Sequence, residues 1–337
     1  MRTAMVTGAS GMLGAHIVER LASTGWNVRA FVRNASPNGW LEKLGARPVE
    51  GDLTDKASVR RAALGCDAIF HAGAAVGSGG AWESYHSANV IGTANVVDAA
   101  SDGARLVQVS STAVFGGERY HSQPTDERLP LPELPERDTY GRSKQDAERL
   151  VLEAAAQGRV WATVVRPPVM YGRGDRQFVP RIGPVFLRGI FPLVDGGGAR
   201  LPIVSASAVA DGAVLAAGAD IARGRVYLLA NDTPVTVADL AAFAAEGLGR
   251  RVRTPRLSLS AGSVVFGVLK AVLWITGRRD LAAHATGTLR MLTRDNPFTS
   301  ARAVQELGWA PCTDPSRALP EAFREWARSF GERGKSL

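Results

Sequence analysis

The sequence predicts an α/β fold: a doubly wound parallel sheet with a smaller, discontinuous domain in the C-terminal half. Three observations carry this. Short branched apolar runs alternate with longer helical patterns as far as Arg166, the form a parallel sheet with crossover helices takes in sequence. A glycine-rich turn, Thr7-Gly8-Ala9-Ser10-Gly11-Met12-Leu13-Gly14, separates the first apolar run from the first helical pattern. The chain has 337 residues, 45% hydrophobic and 21% charged, enough for a full-sized core and too apolar for wholesale disorder.

In chain order, Thr3–Val6 is expected as the first strand and Met12–Ser23 as a helix ended by Gly25. Strands are expected at Val28–Val32 and Pro48–Glu50, a helix at Lys56–Leu64 and a strand at Ala68–His71. One long helix is expected over Glu83–Ala100, then a strand at Arg105–Ser110, a helix at Tyr140–Ala156 and a sixth strand at Trp161–Arg166. Gly116 to Thr139 and Gly172 to Pro202 lack periodicity. Helical character returns at Ala208–Ala219, a strand is expected at Arg225–Leu229, and Thr236 is positioned to cap a helix over Val237–Glu246. Leu319–Phe330 closes the chain as an amphipathic helix. The expected division is residues 1–170 for the first domain, with elements near 203–230 returning to it, and 171–202 plus 231–337 for the second.

The formal charge is +8, and only five of the 40 basic residues are lysines: Lys43, Lys56, Lys144, Lys270 and Lys335. The arginines are scattered and no aromatic–basic interleaving forms a base-stacking platform, so no nucleic-acid partner is expected. Two cysteines, Cys66 and Cys312, build no disulfide framework, and the N-terminus offers no apolar stretch for a signal peptide. The expectation is a cytoplasmic chain. No His/Cys cluster has metal-ligand spacing, so no metal is expected.

The chemistry begins at the glycine turn. Gly8 permits a tight turn, Gly11 lets backbone approach a pyrophosphate, and Gly14 lets helix and strand pack closely. At the end of the second strand, where an acidic residue ordinarily meets a free ribose 2′-hydroxyl, stand Val32 and Arg33. A guanidinium there can hold a 2′-phosphate that a carboxylate would repel, which favours NADP(H) over NAD(H). Tyr140 and Lys144 are four residues apart at a helix start and share one face, and a nearby ammonium stabilises a phenolate. His71 reads as a packed strand-end histidine with no partner implied. Taken alone, Asp52 reads as an acid at a helix N-terminus.

Together these motifs resemble the extended (atypical) short-chain dehydrogenases/reductases, nearest to the 3β-hydroxysteroid dehydrogenase, dihydroflavonol reductase and 2-alkyl-3-oxoalkanoate reductase group. Further motifs in the same register are Asn89-Val90-Ile91-Gly92-Thr93, Arg166-Pro167-Pro168-Val169-Met170-Tyr171-Gly172, Asn296-Pro297-Phe298 and Glu306-Leu307-Gly308-Trp309. The resemblance implies a Rossmann-type cofactor domain and a C-terminal substrate domain. It implies cofactor contacts at Gly8, Ser10, Gly11, Met12, Leu13, Asp52, Leu53, Ala72, Gly73, Ala74, Pro167 and Val169, with Arg33 gripping the 2′-phosphate as in dihydroflavonol reductases. In this family the active hydroxyl lies five residues before the glycine that ends its strand motif. With Gly116 in that place it is Ser111, with Thr112 as runner-up and Ser110 on the cofactor side. Tyr140 and Lys144 complete the implied catalytic set and also touch the cofactor.

The activity implied is hydride transfer between a nicotinamide and a ketone or secondary alcohol of a hydrophobic small molecule. A nucleotide-sugar epimerase or dehydratase is the rival, and a non-catalytic NADP(H)-sensing protein is the alternative of another class. Epimerases usually place Asn where Val169 stands and carry acidic residues where Arg200–Ser207 has none, although Arg173, Arg176, Arg181 and Arg188 remain available for an anion. The window 263–279 is the most apolar in the chain and ends in Arg278 and Arg279. It reads first as a buried helix, and alternatively as a helix lying on a membrane, being too short to cross one. Substrate identity, reaction direction and oligomeric state, with a homodimer among the options, stay open at this level.

Overall fold

A computed structural model describes residues 2–35, 38–77, 80–119, 124–230, 233–277, 292–310 and 313–333. β1 (Thr3–Thr7) runs through the glycine turn into α1 (Met12–Ser23), followed by β2 (Asn27–Val32), the short α2 (Trp40–Lys43) and β3 (Ala46–Glu50). Next come α3 (Lys56–Ala63), β4 (Ala68–His71), α4 (Trp82–Tyr85), a π turn (His86–Ile91) and α5 (Gly92–Ala100). β5 (Arg105–Val109), α6 (Thr139–Ala156) and β6 (Trp161–Arg166) complete the first half. The second half holds β7 (Val169–Tyr171), α7 (Phe178–Leu187), β8 (Leu193–Val194), β9 (Ile203–Ser205), α8 (Ala206–Gly218) and β10 (Val226–Leu228). It ends with α9 (Val237–Leu248), β11 (Arg256–Leu257), α10 (Leu259–Ile275), α11 (Ala301–Leu307) and α12 (Pro315–Arg333).

The main sheet has seven parallel strands in the order β3-β2-β1-β4-β5-β6-β10. The six strands of the first half are therefore joined by a seventh, β10, from the stretch expected at Arg225–Leu229. The strands read as unbroken apolar runs because each is buried on both faces. Successive residues point to opposite layers: Val6, Phe70 and Val107 join α1 and α8, while Met5, Ile69 and Leu106 join α3, α5 and α6. Trp309, buried in the first of these layers, donates its indole N–H to Ala208 O at 2.9 Å. A third apolar cluster gathers Tyr171, Phe178, Phe186, Leu240, Phe323 and Trp326 from β7, α7, α9 and α12.

Helix starts follow local chemistry. Thr236 caps α9 in a full capping box with Asp239, while Asp55, Asp138, Ser205 and Ser258 cap α3, α6, α8 and α10. Asp55 thus takes the capping role that Asp52 alone appeared to offer; the Asp52 carboxylate instead accepts from the N–H and hydroxyl of Thr54. The long helix expected over Glu83–Ala100 is interrupted by the π turn. The buried-helix reading of the 263–279 window is also overturned. Val264, Val268 and Ile275 of α10 are 65, 58 and 76% exposed, because only one side of the helix meets the third cluster. Arg278, Arg279 and Cys312 lie outside the described residues; Cys66 is a buried free thiol.

Candidate active site

In a parallel sheet every strand delivers its following loop to the same edge, and loops diverge where the strand order reverses. Here the reversal lies between β1 and β4. The glycine turn, Arg33, Asp52–Leu53, Ala72–Ala74, Ser110–Ser111 and Pro167–Val169 follow β1, β2, β3, β4, β5 and β6 respectively, so one crevice gathers the residues picked from the sequence.

Its floor is two loops in backbone contact. Gly8 has φ +64°, and a Cβ there would lie 2.6 Å from Gly73 Cα; a Cβ on Gly14 would lie 2.1 Å from Gly8 O. The N-cap of α1 is Gly11, with no side-chain cap, so the first N–H groups of this helix face the crevice edge without the partner that Asp138 gives α6. Leu53 packs between Gly73 and Gly92, and its carbonyl accepts from Asn95 Nδ2 at 2.8 Å. The two arginines of β2's end differ sharply. Arg29 spends its guanidinium on Ala62 O and Leu64 O at 2.8 and 2.7 Å, whereas Arg33 is exposed and bears on the Asp52 carboxylate across the crevice.

At the β5 and β6 end, Tyr140, Lys144 and Glu148 lie on one face of α6. The start of α6 is pressed against the segment after β5: a Cβ on Gly141 would meet Ala113 O at 3.0 Å. Gln145 pins the same segment by donating to Val114 O and Pro132 O at 2.8 and 2.9 Å. This brings Ser111 into hydrogen bond with the Tyr140 phenol, while Ser111 Oγ also accepts from Ala113 N at 3.1 Å. Thr112 is buried, and the Ser110 hydroxyl is buried with no protein partner among the described residues.

Burial pushes the Tyr140 phenol up to about 12, opposed by the Ser111 hydrogen bond and aided by the Tyr85 phenol, whose ring meets that of Tyr140 edge-on at 6.0 Å. Burial also brings the Lys144 ammonium down to about 8, with Glu148 opposing. The expected lowering of Tyr140 by Lys144 is not seen: the groups that act on the phenol besides burial are Ser111 and Tyr85, while the Lys144 ammonium answers to Glu148. Lys144 Nζ donates to Val109 O at 2.9 Å, and Glu148 forms a buried ion pair with Arg166, which lies under the Phe115 ring.

His71, read as partnerless, is doubly bonded. Its Nδ1 meets Thr7 Oγ1 at 2.6 Å and its Nε2 meets Thr93 Oγ1 at 3.0 Å. Thr93 already donates to Asn89 O, so it accepts from Nε2–H, and Thr7 donates to Nδ1 while accepting from Gly73 N. Burial and the Lys144 charge hold the ring neutral, with a pKa down at about 3. The π turn sets Asn89 so that its amide bonds the N–H and carbonyl of Ala75 and donates to Ser143 Oγ, which donates to Tyr140 O. Tyr85, Asn89 and Glu148 were not singled out from the sequence as site residues; the i, i+4, i+8 spacing of Tyr140, Lys144 and Glu148 was the available signal for the last. No group of three or more His, Cys, Asp or Glu residues is placed for a metal among the described residues.

The sheet order, the reversal at β1 and the gathered strand ends define a nicotinamide-dependent enzyme of the doubly wound class. The chain belongs to the NAD dependent epimerase/dehydratase family, whose model matches residues 4–230, and within it to the extended short-chain dehydrogenases/reductases acting on CH–OH/C=O. It is 33% identical to the 4-hydroxy-2-methyl-3-oxo-4-farnesyl-3,4-dihydroquinoline-1-oxide ketoreductase of Stigmatella aurantiaca over 92% of each chain. It is 34% identical to the 2-alkyl-3-oxoalkanoate reductase of Stenotrophomonas maltophilia over 70% of this chain and 72% of that one. Among solved structures, MoeE5 in complex with UDP-glucose and NAD superposes with a TM-score of 0.69 at 25% identity, covering 97% and 99% of the two chains.

Proposed function

We propose that this enzyme transfers a hydride between NADP(H) and a ketone or secondary alcohol on a hydrophobic small molecule. The observation that carries the reading is the half-buried Ser111 beside the Tyr140 phenol, with the buried Lys144 one turn further along α6, next to the glycine crevice. The crevice fits a dinucleotide: the uncapped N-terminus of α1 suits a pyrophosphate, the unpartnered Ser110 hydroxyl a cofactor contact, and the untethered Arg33 a 2′-phosphate. Bound there, the nicotinamide supplies or accepts the hydride.

Tyr140 stands ready as the proton donor to the carbonyl oxygen in reduction, since a phenol held at about 12 is protonated at neutral pH. Ser111 donates a hydrogen bond to the same oxygen as charge develops on it. Lys144, fixed by Val109 O, keeps a positive charge near the phenolate that remains. The relatives' names, a farnesylated quinoline ketoreductase and an alkyl-oxoalkanoate reductase, support an apolar substrate. Val169, 41% exposed, offers no amide to a nucleotide, and Arg173 and Arg200 are committed to Glu19 and Asp295 at 2.7 Å. These features weigh against the nucleotide-sugar reading.

NADPH and NADH oxidation with a panel of long-chain and polycyclic ketones, beside UDP-sugars, tests the proposal. NADPH-dependent ketone reduction is expected, and Tyr140→Phe should lower turnover at least about a hundredfold with cofactor binding retained. Near-normal turnover in that variant, or action on UDP-sugars alone, sinks the reading. A protein that binds NADPH and turns over nothing would be a sensor.

A further inference from the structure

Among the described residues, α10 is attached along one side. Phe266 packs against the third apolar cluster, and a Cβ on Gly262 would sit 2.6 Å from Val194 Cγ1. Away from that seam, Val264, Val265, Val268, Val272 and Ile275 are between 48 and 76% exposed. At 3.6 residues per turn these five fall within roughly 100° of the helix circumference. Beside them Gly267, Lys270, Ala271, Trp274 and Ile275 line an open cavity of about 380 Å³, and Trp274 is 61% exposed. A soluble chain rarely leaves a contiguous apolar face of this breadth to water, so the face has an occupant.

Charge selects that occupant. From Gly247 through Gly277 the sequence carries Arg250, Arg251, Arg253, Arg256 and Lys270 and not one Asp or Glu. Arg250, Arg251, Arg253 and Arg256, which lead into α10, are all exposed. A second copy docking through this region would set like charges against each other. An anionic lipid surface gives these four arginines a counter-charge while taking up the valine face. No helix among the described residues is long and apolar enough to cross a membrane. We propose that α10 lies in the headgroup layer of an anionic bilayer, with its valine face toward the acyl chains and the exposed arginines that lead into it on the phosphates. This stands independently of the reaction assigned above.

Flotation of the full chain with vesicles of phosphatidylglycerol and phosphatidylcholine, against vesicles of phosphatidylcholine alone, tests it. Binding to the anionic vesicles is expected at low salt, with a loss of roughly tenfold or more on neutral vesicles or at high salt. Val268→Glu combined with Val272→Glu should lower binding by a similar factor while leaving NADPH affinity and the melting temperature unchanged. If that pair disturbs folding, Val268→Ser with Val272→Ser serves as the milder variant. Absence of flotation with the wild type overturns the proposal, as does equal binding to both vesicle types. A concentration-dependent dimer that the same substitutions abolish would assign the face to a second copy and overturn it too.

Discussion

The crevice at the sheet edge and the outer face of α10 are opposites in how their side chains are satisfied. Around Tyr140 and Lys144, polar groups are buried and bonded to named partners: His71 to two threonines, Asn89 to Ala75 and Ser143, Glu148 to Arg166. On α10, apolar groups are exposed and touch little of the described chain. The first region is rigid because each buried polar group would be costly if released. The second contributes little to folding, and its composition answers to something outside the fold.

Substitutions can break or sharpen this contrast. The largest effect is expected at Glu148→Ala, which leaves Arg166 buried without its carboxylate and should remove about 3–5 kcal/mol of stability in a urea titration. A loss as small as that of a surface ion pair would erase the distinction. Next comes His71. Its folded pKa is depressed to about 3 from the ordinary 6.5, so the unfolded chain binds more protons between those values. Stability is intact above about pH 6.5 and falls as the pH drops toward 3, by on the order of 2–3 kcal/mol between pH 7 and 4.5 from this group. His71→Gln should show a visibly flatter profile over the same interval; an unchanged slope would move the acid sensitivity elsewhere.

Arg33→Ala should weaken NADPH binding by about 1.5–3 kcal/mol in a fluorescence titration while NADH binding barely moves. An equal loss for both cofactors would make Arg33 structural, like Arg29. The smallest effect is expected on α10, where Val268→Ser should change stability by no more than about 0.5 kcal/mol. A loss several times larger would mean that the face is packed after all.

Much of the sheet was legible because its strands are buried on both sides. Met12–Ser23, Ala68–His71 and Trp161–Arg166 have the same bounds in sequence and structure, each closed by a glycine or by an abrupt change of pattern. The two-residue strands β8 and β11 carry no periodicity to read. The π turn was invisible because one widened turn leaves the apolar spacing of a helix nearly unchanged, although it decides where Asn89 points. His71 could not be paired from sequence, since Thr7 and Thr93 lie 64 and 22 residues away. The Tyr140 direction was missed for a different reason: spacing reveals that Lys144 is near, but the cost of desolvation depends on everything else around the ring. An apolar window, finally, says that a helix wants to be covered and not by what.

The packing of α8 on α1 has a consequence for how the molecule comes off the ribosome. Ile17, Val18 and Leu21, on the first helix to be made, are sealed in one cluster by Val209, Ala213 and Ala216 of α8. Roughly 190 residues separate the two halves of that seal, which at about 5–20 residues per second takes on the order of 10–40 s to synthesise. For that interval the nascent chain carries β1, β2 and β4 with one greasy side open. Collapse of that layer is therefore late by construction, and the half-made chain is a natural client for a holding chaperone until α8 and then β10 emerge.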